Sequence, residues 1–294
     1  MRIGAVFPTT EIGDDPSVIR DWVQTAEGLG YDHVITYDHV LGAVHEGRTP
    51  PLQGPYTEKD AFHEPFVLFA FLAALTTKIE LMTGILILPQ RQTVLVAKQA
   101  AELALLSQGR FRLGVGTGWN PVEYESLGVP FEGRGRRFDE QIELLRRLWR
   151  EPVVDFAGRE HRVDRAGLLP LPGEIPIWLG GFTKVAFARA ARTGDGFLFG
   201  STPLRMAGSL AALKKKLVAE GRDPDNFPTE AQIDFCQPPD EWPREIEAWR
   251  EAGGTHVSLR AMDTAAEFVG SKRVGYEGPA DYIRALETFK HAAG

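Results

Sequence analysis

The chain has 294 residues, 43% hydrophobic and 25% charged, an ordinary globular balance. A formal net charge of −7 leaves no broad basic footprint, which excludes nucleic acid as a partner class. The single cysteine, Cys236, excludes an internal disulfide framework; no apolar run reaches the roughly 18 residues of a membrane span, and the first ten residues lack the apolar core of a signal peptide. The expectation is a soluble cytoplasmic protein with no membrane partner, in one domain over residues 1–294.

Short apolar runs alternate with helical patterns. Residues 2–8 (RIGAVFP) read as a strand. Residues 16–30 read as a helix, with Pro16 in its first turn and Gly28 or Gly30 at its end. A second strand, 32–40, leads into a loop rich in Gly and Pro over 41–63, then a strongly apolar helix, 64–77. A strand at 79–89, a helix at 93–109 and a strand at 111–118 follow, then a short helix carrying Glu123 and Tyr124 and an amphipathic helix at 136–151. Residues 153–163 resemble a hairpin turning around Ala157-Gly158. Strands at 175–181, 196–201, 230–236 and 255–262 alternate with helices at 183–194, 203–221, 243–254 and 279–293.

Strands alternating with helices imply a parallel sheet, and apolar strands imply burial on both faces. Eight such units in one chain predict a (β/α)8 TIM barrel with an insertion loop after strand 2 and a small hairpin excursion before strand 5. A doubly wound open sheet is the competing architecture.

The tetrapeptide Tyr-Asp-His-Val occurs twice, at 31–34 and 37–40, flanking the second strand. The even spacing puts His33 and His39 on one face, roughly 20 Å apart along the strand. Barrel active sites gather at the carboxyl ends of strands, so Asp32-His33 reads as a polar strand start and Asp38-His39 as the working pair. Histidine exchanges protons near neutral pH.

Further features fall at the same end. Thr83-Gly84-Ile85 puts a glycine inside a strand, where a bulge against a flat ligand is expected. Gly114, Gly116 and Gly118 alternate along one face and clear space, with Thr117, Trp119 and Asn120 at the top; this is not a dinucleotide fingerprint. Gly180-Gly181-Phe182-Thr183 precedes a helix and offers backbone N–H groups to an anion, and Arg91 is a second candidate to meet negative charge. The spacing of His33, His39 and His45 is neither helical nor that of a zinc finger, so no metal site is expected.

Taken in order, residues 26–40, 83–128 and 175–183 resemble the luciferase-like superfamily of flavin- and deazaflavin-dependent oxidoreductases, and most closely its probable F420-dependent subgroup. The resemblance implies a barrel binding coenzyme F420, or alternatively FMN, at its carboxyl end. It makes His39 the catalytic histidine and Asp38 a cofactor contact. Gly84-Ile85 would be a cis peptide behind the ring, Thr117 and Gly118 would line it beside Trp119, and Gly180, Gly181 and Phe182, with Thr183 next, would hold the phosphate side. Relatives acting on sugar phosphates carry a catalytic glutamate where this chain has Trp119, so Glu123, one turn on, is the catalytic candidate in its place. Many relatives also have Arg-His-Pro where this chain has Arg91-Gln92-Thr93.

The expected function is hydride transfer between F420 and a small organic substrate. The alternatives are an FMN-dependent monooxygenase using reduced flavin and oxygen, and a non-catalytic flavin-binding protein. A barrel hydrolase or aldolase is disfavoured, because no metal cluster or placed lysine base is evident. The loop 41–63 is expected to cover the substrate through Tyr56, Phe62 and His63. The apolar helices 64–77 and 93–106 point to a homodimer.

Overall fold

The computed structural model describes residues 1–293. Eight parallel strands close on themselves: β1 (Arg2–Val6), β2 (His33–Thr36), β3 (Glu80–Thr83), β5 (Phe111–Gly116), β8 (Ile177–Gly180), β9 (Gly196–Leu198), β10 (Thr229–Asp234) and β11 (His256–Arg260). Closure runs through β1 against β11 and β3 against β5, so the chain is a (β/α)8 barrel. The third strand of the expectation, 79–89, is interrupted. A cis peptide joins Gly84 to Ile85, and the strand resumes as β4 (Leu86–Ile87), still paired with β5. Outside the barrel, β6 (Val154–Ala157) and β7 (Arg162–Ala166) form the antiparallel hairpin.

The surrounding helices are α1 (Pro16–Gly28), α2 (Pro65–Leu75), α3 (Thr93–Leu106), α4 (Pro121–Ser126), α5 (Arg134–Arg150), α6 (Lys184–Thr193), α7 (Pro203–Ala219), α8 (Trp242–Glu251) and α9 (Pro279–Ala293). Their starts follow from local chemistry. Asp15 accepts from the Ser17 N–H ahead of Pro16, Glu64 accepts from the Val67 N–H ahead of Pro65, and Thr183 accepts from the Ala186 N–H. On α1, Ile19, Trp22, Val23 and Ala26 recur at helical spacing and are buried against the barrel.

Asp32-His33 opens β2 at the lower end, but His33 has no solvent exposure and plugs the floor of the barrel. Its Nε2 lies 2.7 Å from Glu230 Oε1, and its ring packs edge-on against His256. Arg112 stacks over Trp178 beside them. Burial lowers His256 to about 3, so it stays neutral. Above this floor a small apolar layer, Ile35, Met82, Trp178 and Leu198, fills the barrel interior. The main core lies between the strands and the helices. The lower end is therefore closed by side chains, and the open end is the carboxyl end.

Candidate active site

A cavity of about 740 Å³ opens at that end, within the size range of ligand sites, roughly 300–1,000 Å³. Strand β2 stops at Thr36, so Tyr37, Asp38 and His39 stand on the loop above it and line the cavity.

Glu123 places His39. It stands on α4, whose first turn is capped by Asn120 accepting from the Val122 N–H. Glu123 is fully buried; its Oε2 lies 2.9 Å from His39 Nδ1, and its Oε1 accepts from the Val40 N–H at 2.5 Å and from Gln90 Nε2 at 2.9 Å. A carboxylate only accepts, so the hydrogen sits on Nδ1. The other ring nitrogen, Nε2, has no protein partner among the described residues, on a ring that lines the cavity. Three aromatic rings surround this imidazole, with centroids at 5.2 Å (Tyr56), 5.0 Å (Phe62) and 5.6 Å (Trp119).

Asp38 Oδ2 accepts from the Ile87 N–H at 2.8 Å, and its Oδ1 accepts from Arg91 Nη2 at 2.7 Å. Burial pushes its carboxyl up, while Arg91 and the Ile87 N–H pull the other way. Because every contact offers it a hydrogen, we take Asp38 as the charged partner of Arg91. Asp38 thus anchors the chain just after the Gly84–Ile85 peptide as well as lining the cavity. Arg91, expected to meet a ligand's charge, is committed instead to Asp38 and, at 2.9 Å, to Glu64.

The wall formed by β3, β4, β5 and β8 alternates glycines with the side chains of Ile85, Ile87 and Leu179. A Cβ on Gly84 would lie 2.1 Å from Ile35 Cγ2, on Gly116 2.6 Å from Ile85 Cδ1, and on Gly180 2.6 Å from Ile85 Cγ2. The alternating glycines therefore clear room for the interrupted third strand, not for empty space. At the β8 edge, Gly180, Gly181, Phe182 and Thr183 line the cavity up to the start of α6. The start of α5 faces the same space through Gly133, Arg134 and Gly135. Two helix N-termini converge there, a ready anion site. Arg134 stacks over the Phe131 ring at 3.7 Å and donates to the Phe131 carbonyl at 3.3 Å, but it has no acidic partner among the described residues and its buried Nε has no partner. A guanidinium without a carboxylate beside two helix N-termini fits a ligand carrying an anionic tail.

Of the remaining expected residues, Thr117, Gly118 and Trp119 line the cavity, as does Tyr56 from the long loop. A Cβ on Gly54 would come within 2.2 Å of the Trp119 ring, so the loop is seated directly on that indole. Phe62 is one layer back, behind Tyr56 and His39. His63 is a miss: its Nε2 bonds the Gly13 carbonyl at 3.0 Å and its ring packs on Phe7, away from the cavity.

Sequence reasoning overlooked the far wall. Tyr37 donates to Gln232 Oε1 at 3.1 Å, and the buried Arg260 stands beside them, ion-paired with Asp234 at 3.3 Å. The signal was available: Glu230, Gln232 and Asp234 alternate along β10, as do His256, Ser258 and Arg260 on β11, so polar side chains point inward from both strands. Arg134 was also missed, because the helix was expected to begin at 136, whereas it begins at Arg134.

No group of three or more possible metal ligands occurs among the described residues. A wall set with glycines, an anion corner and a carboxylate-held imidazole at the carboxyl rim of a closed barrel make a site shaped for a flat ligand with an anionic tail.

The sequence profile of the luciferase-like monooxygenase family matches residues 1–291, and the chain belongs to that family. An uncharacterised protein of Mycobacterium tuberculosis is 37% identical over 202 residues, 67% of this chain and 70% of that one. An F420-dependent glucose-6-phosphate dehydrogenase of Mycobacterium avium is 31% identical over 237 residues, 76% of this chain and 66% of that one. Among solved structures, a monooxygenase from Streptomyces bottropensis superposes with a TM-score of 0.77 at 20% identity, covering 99% of this chain and 98% of that one, which shows the shared fold.

Proposed function

We propose that the protein is an oxidoreductase that transfers a hydride between coenzyme F420 and a small organic substrate, with His39 as the proton-exchanging group and Glu123 as the residue that positions it. The bound cofactor supplies the two-electron chemistry. Gly84, Ile85, Thr117, Gly118 and Trp119, with Asp38, would hold the ring, and Gly180, Gly181, Phe182 and Thr183, with Arg134, would hold the anionic tail.

The observation that carries this reading is the pair formed by His39 and Glu123. Moving a hydride to or from a carbon bearing oxygen requires one proton on that oxygen. Nε2 of His39 is open to the cavity, while Nδ1 is fixed by the carboxylate. The similarity to an F420-dependent dehydrogenase supports the deazaflavin. The second reading, an FMN-dependent monooxygenase, draws on the same slot and on the family as a whole.

Titrating purified protein with F420 and with FMN, followed by fluorescence, separates the two. The expected result is tighter binding of F420, then substrate-dependent loss of its oxidised absorbance. Tighter binding of FMN would favour the monooxygenase. Binding with no turnover on any substrate would leave a flavin-binding protein.

A further inference from the structure

We propose that Gln141, on the outer helix α5, is a positioning residue for His39 and acts on it through the turn that carries Gln90. This rests on the reading of His39 above as the proton-exchanging group; the contacts themselves stand without it.

Between β4 and α3 the chain makes one buried 3₁₀ turn, Leu88–Gln90, and then passes Arg91. This short stretch serves both acids beside the cavity. Gln90 Nε2 donates at 2.9 Å to Glu123 Oε1, on the carboxylate whose other oxygen holds His39. Arg91 donates to Asp38 at 2.7 Å, and Ile87, just ahead of the turn, gives Asp38 its N–H. A shift of the turn therefore moves a donor that both carboxylates depend on.

The backbone carbonyls of the turn face α5. Gln141 Nε2 lies 3.2 Å from the Leu88 oxygen and 3.2 Å from the Arg91 oxygen, so one amide spans the turn from end to end. Arg137, one helical turn earlier, donates to the Pro89 carbonyl at 3.3 Å. Gln141 is fully buried, where water cannot replace the donors it supplies. A turn this short makes little hydrogen bonding of its own, so donors from outside decide where it sits.

The orientation of that amide is set from the β6–β7 hairpin. Glu140 accepts from the Arg159 and Glu160 N–H groups and lies 2.7 Å from His161 Nδ1. Burial pushes the Glu140 carboxyl up, but those donors outweigh it and hold it below the usual carboxylate range, so it only accepts. In the neutral His161 ring the hydrogen is then on Nδ1, and Nε2 accepts from the Thr93 hydroxyl at 2.7 Å. With its hydrogen given to His161, Thr93 accepts in turn from Gln141 Nε2 at 2.9 Å. The amide is thereby fixed with its NH2 group toward the turn, although its own oxygen has no partner among the described residues. Turned over, it would set that oxygen against the Leu88 and Arg91 carbonyls.

Imidazole correlations of protein labelled with 15N-histidine and free of any ligand read the His39 ring directly, with His39→Gln supplying the assignment. In the unaltered protein His39 is expected in the Nδ1–H form. Gln141→Leu keeps the bulk and removes the donors; the ratio of Nε2–H to Nδ1–H forms is expected to rise about tenfold. Gln90→Leu is expected to give a similar shift, and the double variant no more than Gln90→Leu alone. If Gln141→Leu does not fold, judged by circular dichroism, Gln141→Met takes its place. A folded variant with the His39 signals unmoved would overturn the proposal and leave Gln141 a packing residue. Shifts that add in the double variant would overturn it too, since the effect would then bypass Gln90. No cofactor or substrate enters the measurement, so its result is separate from the F420 and FMN titrations that test the oxidoreductase reading.

Discussion

In the proposed chemistry, His39 depends on three other groups that hold it. Imidazole near neutral pH can give or take a proton, but an unrestrained ring would do so in many orientations. The Glu123 carboxylate fixes one nitrogen, and Tyr56 and Trp119 limit the tilt of the ring. His39→Ala is therefore expected to lower turnover roughly 10²–10⁴-fold with cofactor affinity nearly unchanged, read by fluorescence titration beside steady-state rates. Glu123→Gln keeps the size but loses the carboxylate that accepts from Nδ1 and from the Val40 N–H. It is expected to lower turnover with little change in KM, read by steady-state rates; a loss of folded protein by circular dichroism would indicate a structural role only. At the opposite corner, Arg134→Gln is expected to weaken binding of phosphate-bearing FMN by roughly 10- to 100-fold, since a charge-assisted contact is worth about 1.5–3 kcal/mol, and to leave riboflavin unaffected.

At the scale of elements, the glycines decide where strands can approach. A Cβ on Gly114 would sit 1.9 Å from the Thr83 carbonyl oxygen, which is backbone and cannot step aside. Gly114→Ala is expected to lower stability by about 1–3 kcal/mol. Gly28, at the end of α1, has nothing within 4 Å of a built Cβ, so Gly28→Ala is expected to raise stability by about 0.5–1 kcal/mol. Chemical denaturation of both variants checks the pair. The sequence carried most of this level. Eight units, their order and the placement of Asp38-His39 at the carboxyl rim were legible from periodicity and from the rule that strand ends bear chemistry. What escaped was what a one-dimensional period cannot report. Strand β2 ends at Thr36 because the chain turns there toward Glu123, some eighty positions on, a contact no local pattern encodes. His63 sits in a loop whose path is set by Thr9 and Gly13. His33 looked polar because its partners, Glu230 and His256, come from distant strands.

Over the whole molecule, the buried ionic floor and one exposed apolar face set the behaviour. Unfolded histidine titrates near 6.5, whereas burial holds His256 at about 3. Between those values the unfolded chain binds the extra proton, so stability is lost as pH falls from about 6.5 toward 3. His256→Gln is expected to flatten that acid limb, measured as the denaturation midpoint against pH. On the outside, Val67 (69% exposed) and Phe71 on α2 lie on neighbouring helices with Leu95 (53%) and Leu106 (63%) on α3. We propose that two copies meet through this face, as the apolar helices of the sequence suggest. Leu95→Arg is expected to yield monomers by light scattering, and an unchanged mass would sink the pairing.

The carboxylate of Glu64 belongs to two structures at once. One oxygen starts α2 by accepting from Val67, and the other grips Arg91, which grips Asp38 at the rim of the slot. A relay of three charges thus connects the outer apolar face to the wall of the cavity. If copies associate there, dilution that separates them should also speed the escape of bound cofactor, and release kinetics at falling protein concentration would reveal that linkage.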